Sequence, residues 1–498
     1  MTRRAAAASI LAALLAVACA APPAPPIRGE AIAALRPALD ELLARRDLAG
    51  GRVGVLVVDA ADGARLCASD DDRGFATASN MKVLTGVVAL ATLGPDWRTA
   101  TELHARGAIV DGALRGDLVL VGRGDPAFAA GAEAGAMWER FAAGLRAQGI
   151  TRVEGRVLGD GSWLGDEPLG HGWQWDYLDE DYAAPFGGLC CGRNVVAVQV
   201  AAADGAPVAT LAPDVFGPPE VRARTLASGE RGALRVRRPL GAERIVVEGA
   251  MARDAAPAKV AVPVPDPADF AARVLRRELA ARGIAFVTHD FHGAMADGIA
   301  RVAGPGAAAA PTRLVAVEVS PTVRELTQPM LLRSDNLYAE QLARLAARNA
   351  LGDGGTAAMA RHAAATLQRL GVDPTGMVMA DGCGLSRRNL VQPRQVVGAL
   401  RAAHAAPWRD DFVAGLPLAG RSGTLASRFR DGPAHGRVRA KTGYISRVVC
   451  LSGFVPRPDP AAPPLVFAVM LNDFTCADAA AKAAVDGFVQ RLAAFAGW

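Results

Sequence analysis

Three short segments of this sequence hold residue types whose spacing suits acyl transfer through a serine. In Ser79-Asn80-Met81-Lys82, the serine and the lysine lie three residues apart. On a helix that spacing sets both side chains on one face, a turn apart. A serine hydroxyl is a weak nucleophile until a base takes its proton. A lysine amine can be that base once burial or a second cation lowers its pKa. Lys441, in Lys441-Thr442-Gly443, is the candidate second cation. Ser334, in Ser334-Asp335-Asn336, can relay a proton to a leaving group, and the Asn336 amide can hold a substrate backbone together with Lys82. Thr442 offers a hydroxyl to a substrate carboxylate, and Gly443 lets a substrate lie flat along its strand. The backbone N–H groups of Ser79 and Tyr444 are candidates for the two oxyanion donors such chemistry needs.

Taken singly, each segment is ordinary: a helix cap with a solvated lysine, a polar turn, a strand end. Their combination is not, because the chain has only four lysines, Lys82, Lys259, Lys441 and Lys482, against 51 arginines. Arginine stays charged in proteins, whereas a lysine amine can be deprotonated. Where a plain positive charge suffices the chain uses arginine, and two of its four lysines fall in these segments.

The elements that must position these groups are legible in outline. Residues 53–58 form a Val-rich strand, Asp62-Gly63 a hairpin turn, and residues 64–68 the return strand. Ser79 then opens a helix that is strongly apolar from Met81 and stopped by Gly94-Pro95. From about 96 to 300 short Val/Leu/Ile runs alternate with Gly- and Asp-containing turns, which predicts mostly β structure in one or two inserted modules. A helix over 268–281 is entered through Pro267. Helices over 322–332 and 337–347 flank Ser334-Asp335-Asn336. Residues 437–441, 448–455 and 465–471 read as three strands, and 477–495 as a closing helix. The two ends of the chain are thus expected to share one antiparallel sheet covered by helices, with the β-rich middle inserted.

Composition excludes several classes. At 498 residues and a net charge of +5, with its arginines scattered, the chain shows no nucleic-acid footprint. Arg3-Arg4, an apolar stretch over 5–17 and small residues beyond it read as a targeting segment over 1–20, followed by a Pro/Ala-rich linker over 22–26. The alternative is an uncleaved anchor, although the apolar run is shorter than the ~20 residues a span needs. Ala16-Val17-Ala18-Cys19 also resembles a lipoprotein box, which leaves lipid anchoring at Cys19 open. Six further cysteines, Cys67, Cys190, Cys191, Cys383, Cys450 and Cys476, show no Cys-x-x-Cys spacing, so no structural zinc is expected. The adjacent pair Cys190 and Cys191 is expected to bond elsewhere or stay free. The histidines are scattered without His-Glu-x-x-His. His289 and His292 lack a third ligand nearby, so neither a metal nor any other cofactor is expected. Trp173 and Trp175 are expected to pack at a domain junction.

In this order the three segments are similar to those of the low-molecular-mass class C penicillin-binding proteins, the D-alanyl-D-alanine carboxypeptidase/endopeptidases of peptidase family S13. The resemblance extends to Gly124-Asp125-Pro126, Gly172-Trp173-Gln174-Trp175, Ala184-Pro185, Asp381-Gly382-Cys383-Gly384-Leu385-Ser386-Arg387 and Ser422-Gly423-Thr424-Leu425, and to the 255 residues between Ser79 and Ser334. It implies an α+β, multidomain fold: a penicilloyl-serine transferase/β-lactamase-like domain over 27–95 and 305–498, interrupted by an inserted domain over 96–190 and 265–304 and a β-rich one over 191–264. It implies an exported enzyme of the periplasm or cell envelope that hydrolyses D-Ala-D-Ala ends and cross-links of peptidoglycan peptides, with β-lactams as covalent inhibitors. Ser79 would be acylated, Lys82, Ser334, Asn336 and Lys441 would be catalytic, and Thr442, Gly443, Tyr444 and Arg387 would bind substrate.

Two residues depart from the family's pattern. Cys383 stands where serine is usual, and Tyr444 where Ser or Thr is usual; the larger ring is expected to narrow the cleft or alter substrate choice. Asp176 and Asp179 either read a diamino acid in the substrate or form a solvated turn. Two rival readings stay in play: a β-lactamase or esterase on the same fold, for which a Glu-x-x-Leu-Asn segment is missing, and an inactive cell-wall-binding protein, which the intact Ser79, Lys82 and Lys441 oppose.

Overall fold

Apolar runs decide the centre of the molecule. Val448–Val455 and Leu465–Asn472 are buried at every position, which marks strands covered on both faces. A computed structural model, which describes residues 29–129, 134–287, 299–301 and 312–497, places them inside a five-stranded sheet. Its order is Arg439–Ile445, Val448–Val455, Leu465–Asn472, Arg52–Asp59, Arg65–Ser69, antiparallel throughout. The first strand thus lies beside the last, with Val55 opposite Val469. The hairpin closes through Gly63 at φ +77°, a conformation that favours glycine.

Strand alternation sorts side chains into two cores. Leu56, Val58, Cys450 and Phe454 face a helical layer built around Met81–Leu93, with Asn336–Leu351 and Pro393–Ala405 beside it. Val55, Val57, Val449 and Leu451 face Gly29–Leu43 and Asp478–Phe495. In Met81–Leu93 every residue from Met81 to Leu90 is buried, which makes it a helix enclosed on all sides. Gly94 ends it at φ +83°.

The middle of the chain forms three more sheets. One has the order Ala285–Phe286, Arg152–Val153, Ala113–Gly122, Ala100–Val110, Thr312–Val319, with Val157–Asp160 and Ile299–Arg301 also attached. The other two, three strands each, are built from residues 195–263. All pack on one shared apolar core that runs from Leu103 to Val198 and Val262. Helix Pro267–Ala280 starts where expected, with Asp266 capping Ala268 and Asp269 N–H.

Four sequence expectations need correction. Ala134–Ala147 is a helix, with Met137, Trp138, Phe141, Ala142 and Leu145 inward, in a region expected to be β. The strand expected over 437–441 spans Arg439–Ile445, so Lys441-Thr442-Gly443 lies at its centre rather than its end. Thr312–Val319 pairs with Ala100–Val110 in the inserted segment's sheet, although residue 305 was the expected return to the catalytic unit. Of the two tryptophans, Trp173 packs at the junction with Phe186, Cys190 and Leu337, but Trp175 is 79% exposed. The targeting segment with Cys19, and the pair His289 and His292, lie outside the described residues. Cys67, Cys190, Cys191, Cys383, Cys450 and Cys476 are all free thiols. No helix among the described residues is long and apolar enough to cross a membrane.

Candidate active site

The Ser79 segment is a 3-10 turn, Ala78–Asn80, that runs directly into Met81–Leu93. No side chain caps either element, so Ser79 is not spent as a helix cap. Polar clamps fix the turn instead. Asn472, at the end of its strand, accepts from Ala76 N–H at 2.8 Å and donates to Ala76 C=O at 3.0 Å. The buried Asn80 amide donates to Lys441 C=O at 3.0 Å and accepts from the Ser452 hydroxyl. Gly443 makes room for this turn: a Cβ there would come within 2.6 Å of Thr77 C=O and 3.1 Å of Asn80 N. Its lack of a side chain therefore serves the approach of strand and turn.

Lys82 is fully buried, and its Nζ donates to three acceptors: Ser79 Oγ at 3.0 Å, Asn336 Oδ1 at 2.6 Å and Cys383 C=O at 2.7 Å. Lys441, also fully buried, donates to Ser334 Oγ at 2.9 Å and to Thr442 C=O at 2.7 Å. Burial lowers the Lys82 pKa, opposed by neighbouring Cys383 and by the carboxylates of Asp381, Asp335 and Glu340. Burial and then the Lys82 charge push Lys441 well below an ordinary lysine. Both lysines are thus held below the ordinary lysine value, and the repulsion between them acts on the pair. Ser334 sits at φ +63°, a strained conformation for a serine, on the short link between Val323–Leu332 and Asn336–Leu351. Asp335 caps the second of these helices and is paired with Arg193 of the inserted segment at 2.6 Å.

The structure therefore unites Ser79, Lys82 and Asn336 in one hydrogen-bonded group, with Lys441 and Ser334 as a second pair beside it. Thr442 Oγ1 meets Thr424 Oγ1 at 2.7 Å. Tyr444 lies two residues along the strand and is half exposed. Its hydroxyl donates to Asp478 and the Lys482 amine lies 3.9 Å from its ring centre. The ring thus meets the start of the C-terminal helix Asp478–Phe495. Arg387 donates to the Ser446 carbonyl and to Gln174 Oε1 at 3.4 Å, joining the Trp173 loop to the end of the catalytic strand. Asp176 lies in a one-turn 3-10 helix, and Asp179 faces Arg235 at 3.8 Å.

A supporting layer went unread in the sequence. Asp381 accepts from Gly384 N–H, Ser386 N–H, the Asn389 amide and Trp173 Nε1. Glu340 Oε1 accepts from Gly382 N–H at 2.8 Å and Cys383 N–H at 2.9 Å. Glu340, Asp381 and Cys383 bring their ligand atoms within 4.8 Å of one another. One signal was available: Glu340 follows Asn336 by four residues, hence on the same helix face.

Residues 35–495 match the D-Ala-D-Ala carboxypeptidase 3 (S13) family. A D-alanyl-D-alanine carboxypeptidase of Actinomadura sp. strain R39 is 34% identical over 483 residues, covering 94% of this chain and 86% of the relative. Penicillin binding protein 4 of Haemophilus influenzae has the same fold, with a TM-score of 0.75 at 24% identity over 91% of this chain and 98% of its own. A second structure of that Haemophilus protein, in complex with a β-lactam, gives a TM-score of 0.70 at 23% identity over the same shares of the two chains.

Proposed function

We propose the following division of labour from the premise that this chain belongs to the D-Ala-D-Ala carboxypeptidase 3 (S13) family and is a serine-type D-Ala-D-Ala carboxypeptidase/endopeptidase. The observation that carries it is the Lys82 amine, held between Ser79 Oγ and Asn336 Oδ1. Ser79 Oγ attacks the carbonyl carbon of the penultimate D-Ala while neutral Lys82 takes the hydroxyl proton. The oxyanion is met by the N–H groups of Ser79 and Tyr444. Ser334, hydrogen-bonded to Lys441, passes a proton to the leaving nitrogen, and the C–N bond breaks. Water then attacks the ester on Ser79 and releases the shortened peptide. Asn336 steadies the acyl side, while Thr442 and Lys441 meet the terminal carboxylate. Of general acid–base steps such as these, each is worth roughly 10²–10⁴ in rate.

The substrates are the D-Ala-D-Ala ends and peptide cross-links of peptidoglycan, and β-lactams acylate the same serine. The Haemophilus protein holds a β-lactam, in keeping with this reading. The charged and apolar segments over 1–20 support export to the periplasm or cell envelope, with lipid attachment at Cys19 as the anchored form. The catalytic unit joins residues 29–95 to the chain after Val319, and the intervening sheets are insertions.

Intact mass of the protein after incubation with penicillin, beside Ser79→Ala, tests the core of this. One persistent adduct on the wild type alone is expected. No adduct with intact drug would favour an inactive wall-binding protein, and no adduct with destroyed drug a β-lactamase.

A further inference from the structure

Deprotonated Lys82 has two N–H groups and one lone pair. It catalyses only if the lone pair, and not an N–H, faces the Ser79 hydroxyl. Asn336 Oδ1 and Cys383 C=O are the two acceptors that can fix this orientation, by taking the two N–H groups. The Cys383 carbonyl belongs to a turn gripped from two sides. From the nucleophile helix, Thr85 Oγ1 donates to Gly382 C=O at 2.6 Å. From the Ser-Asp-Asn helix, Glu340 Oε1 accepts both the Gly382 and Cys383 N–H groups. Gly382 allows that helix to come close, since a Cβ there would lie 2.7 Å from Ala343 Cβ and 2.9 Å from Ala339 C=O.

Resting on the serine-acylation reading above, we propose that Glu340 is a positioning residue: it holds the Gly382–Cys383 turn so that the Cys383 carbonyl aims the Lys82 lone pair at Ser79. Asn336 and Glu340, four residues apart on one helix face, thus act on the same amine, one directly and one through the turn. Two observations set Glu340 apart from a passive ion pair. It is completely buried, yet its Oε2 has no hydrogen-bond partner. Its cation, Arg344 of the same helix, stands off at 3.6 Å and is engaged elsewhere, by Gly354 C=O, the Thr356 hydroxyl and Glu167 of the inserted segment. The charged and titratable groups facing it are Arg344 on its own helix, Asp381 and Cys383 on the turn, and Lys82 on the nucleophile helix. Beyond Lys82 stand Asp335 and Lys441.

The test uses the full chain with Glu340→Gln and Glu340→Ala, reading the rate of penicillin acylation against pH beside thermal unfolding. Glutamine keeps an acceptor for the two N–H groups but removes the negative charge that Glu340 carries near the Lys82 ammonium above about pH 7. The acid limb of its profile is therefore expected to move to lower pH by about half a unit or more. Alanine removes the acceptor too, and its plateau is expected to fall at least about tenfold below that of glutamine. If Glu340→Ala does not fold, Glu340→Asp takes its place, since the shorter side chain draws the acceptor back from the two N–H groups and the same fall in plateau is expected. Plateaus that follow only the folded fraction would reduce Glu340 to a structural role. Failure of the wild type to acylate at all would instead overturn the catalytic reading beneath it.

Discussion

Lys82 has three acceptors around it but, as a base, only two protons to give them. Its chemistry thus depends on losing a proton in a buried site, which an arginine cannot do. Lys82→Arg is expected to keep the fold's charge and to lower penicillin acylation at least about 10³-fold, read by intact mass over time. Buried charge also has a stability signature. Burial and nearby Asp381 raise the Glu340 pKa to about 7 from an ordinary 4.5. The folded state then holds a proton there that the unfolded state gives up between those values. The wild type should lose stability as pH rises from 4.5 to 7, relative to Glu340→Gln, by about 3 kcal/mol in denaturant titrations. Only part of this machinery was legible in the sequence. Ser79 and Lys82 declare themselves through a three-residue spacing, and Lys441 through the rarity of lysine. Asn80, Asn472 and Glu340 work through partners far along the chain: Asn80 on Lys441, Asn472 on Ala76 and Glu340 on Cys383. No local spacing carries that information.

At the scale of elements, the site is a strand laid against a turn at the start of a helix. The approach is close enough that Gly443 cannot carry a methyl group without moving the Thr77 and Asn80 backbone. Gly443→Ala is expected to cost about 1–3 kcal/mol of stability, by thermal or denaturant unfolding, as overpacking does. Because the strain falls on the nucleophile turn, acylation should drop more than the folded fraction does. Gly487, in the C-terminal helix Asp478–Phe495, is the contrast. A Cβ there meets nothing within 4 Å, so Gly487→Ala should raise stability by about 0.5–1 kcal/mol and leave acylation alone. The elements whose apolar period was unbroken, such as Val448–Val455, were readable before the structure. Arg439–Ile445 was misplaced because Lys441, Thr442 and Gly443 interrupt its apolar pattern, and their burial is set by the site rather than by the strand. Ala134–Ala147 was missed because its inward Met137, Trp138, Phe141 and Leu145 lie among β-like runs and follow no N-terminal capping signal.

For the whole molecule, the segments between residues 96 and 319, proposed above as insertions, are tied to the site. Among the contacts that join residues 96–319 to the Ser334 and Asp381 segments, four bear on the site. Arg193 pairs with Asp335 of the Ser-Asp-Asn link. The Tyr182 carbonyl accepts from the Asn336 amide at 2.7 Å, and the Gly187 carbonyl from the Gln341 amide at 2.6 Å. Trp173 Nε1 donates to the buried Asp381 at 2.9 Å. Asp381 in turn orders the turn whose Cys383 carbonyl holds Lys82. Trp173→Phe separates coupling from packing, because it keeps an aromatic ring against Phe186 and removes only the N–H. It removes one of the donors to an oxygen of a buried carboxylate, which keeps the Ser386 N–H, at an expected cost of about 1 kcal/mol. If the insertion acts on catalysis through this bond, penicillin acylation per folded molecule should also fall, with intact mass and unfolding measured on one sample. Unchanged acylation at lowered stability would confine the insertion to holding the fold. A fall would mean that a segment joined near the end of the nucleophile helix helps set the amine at its start.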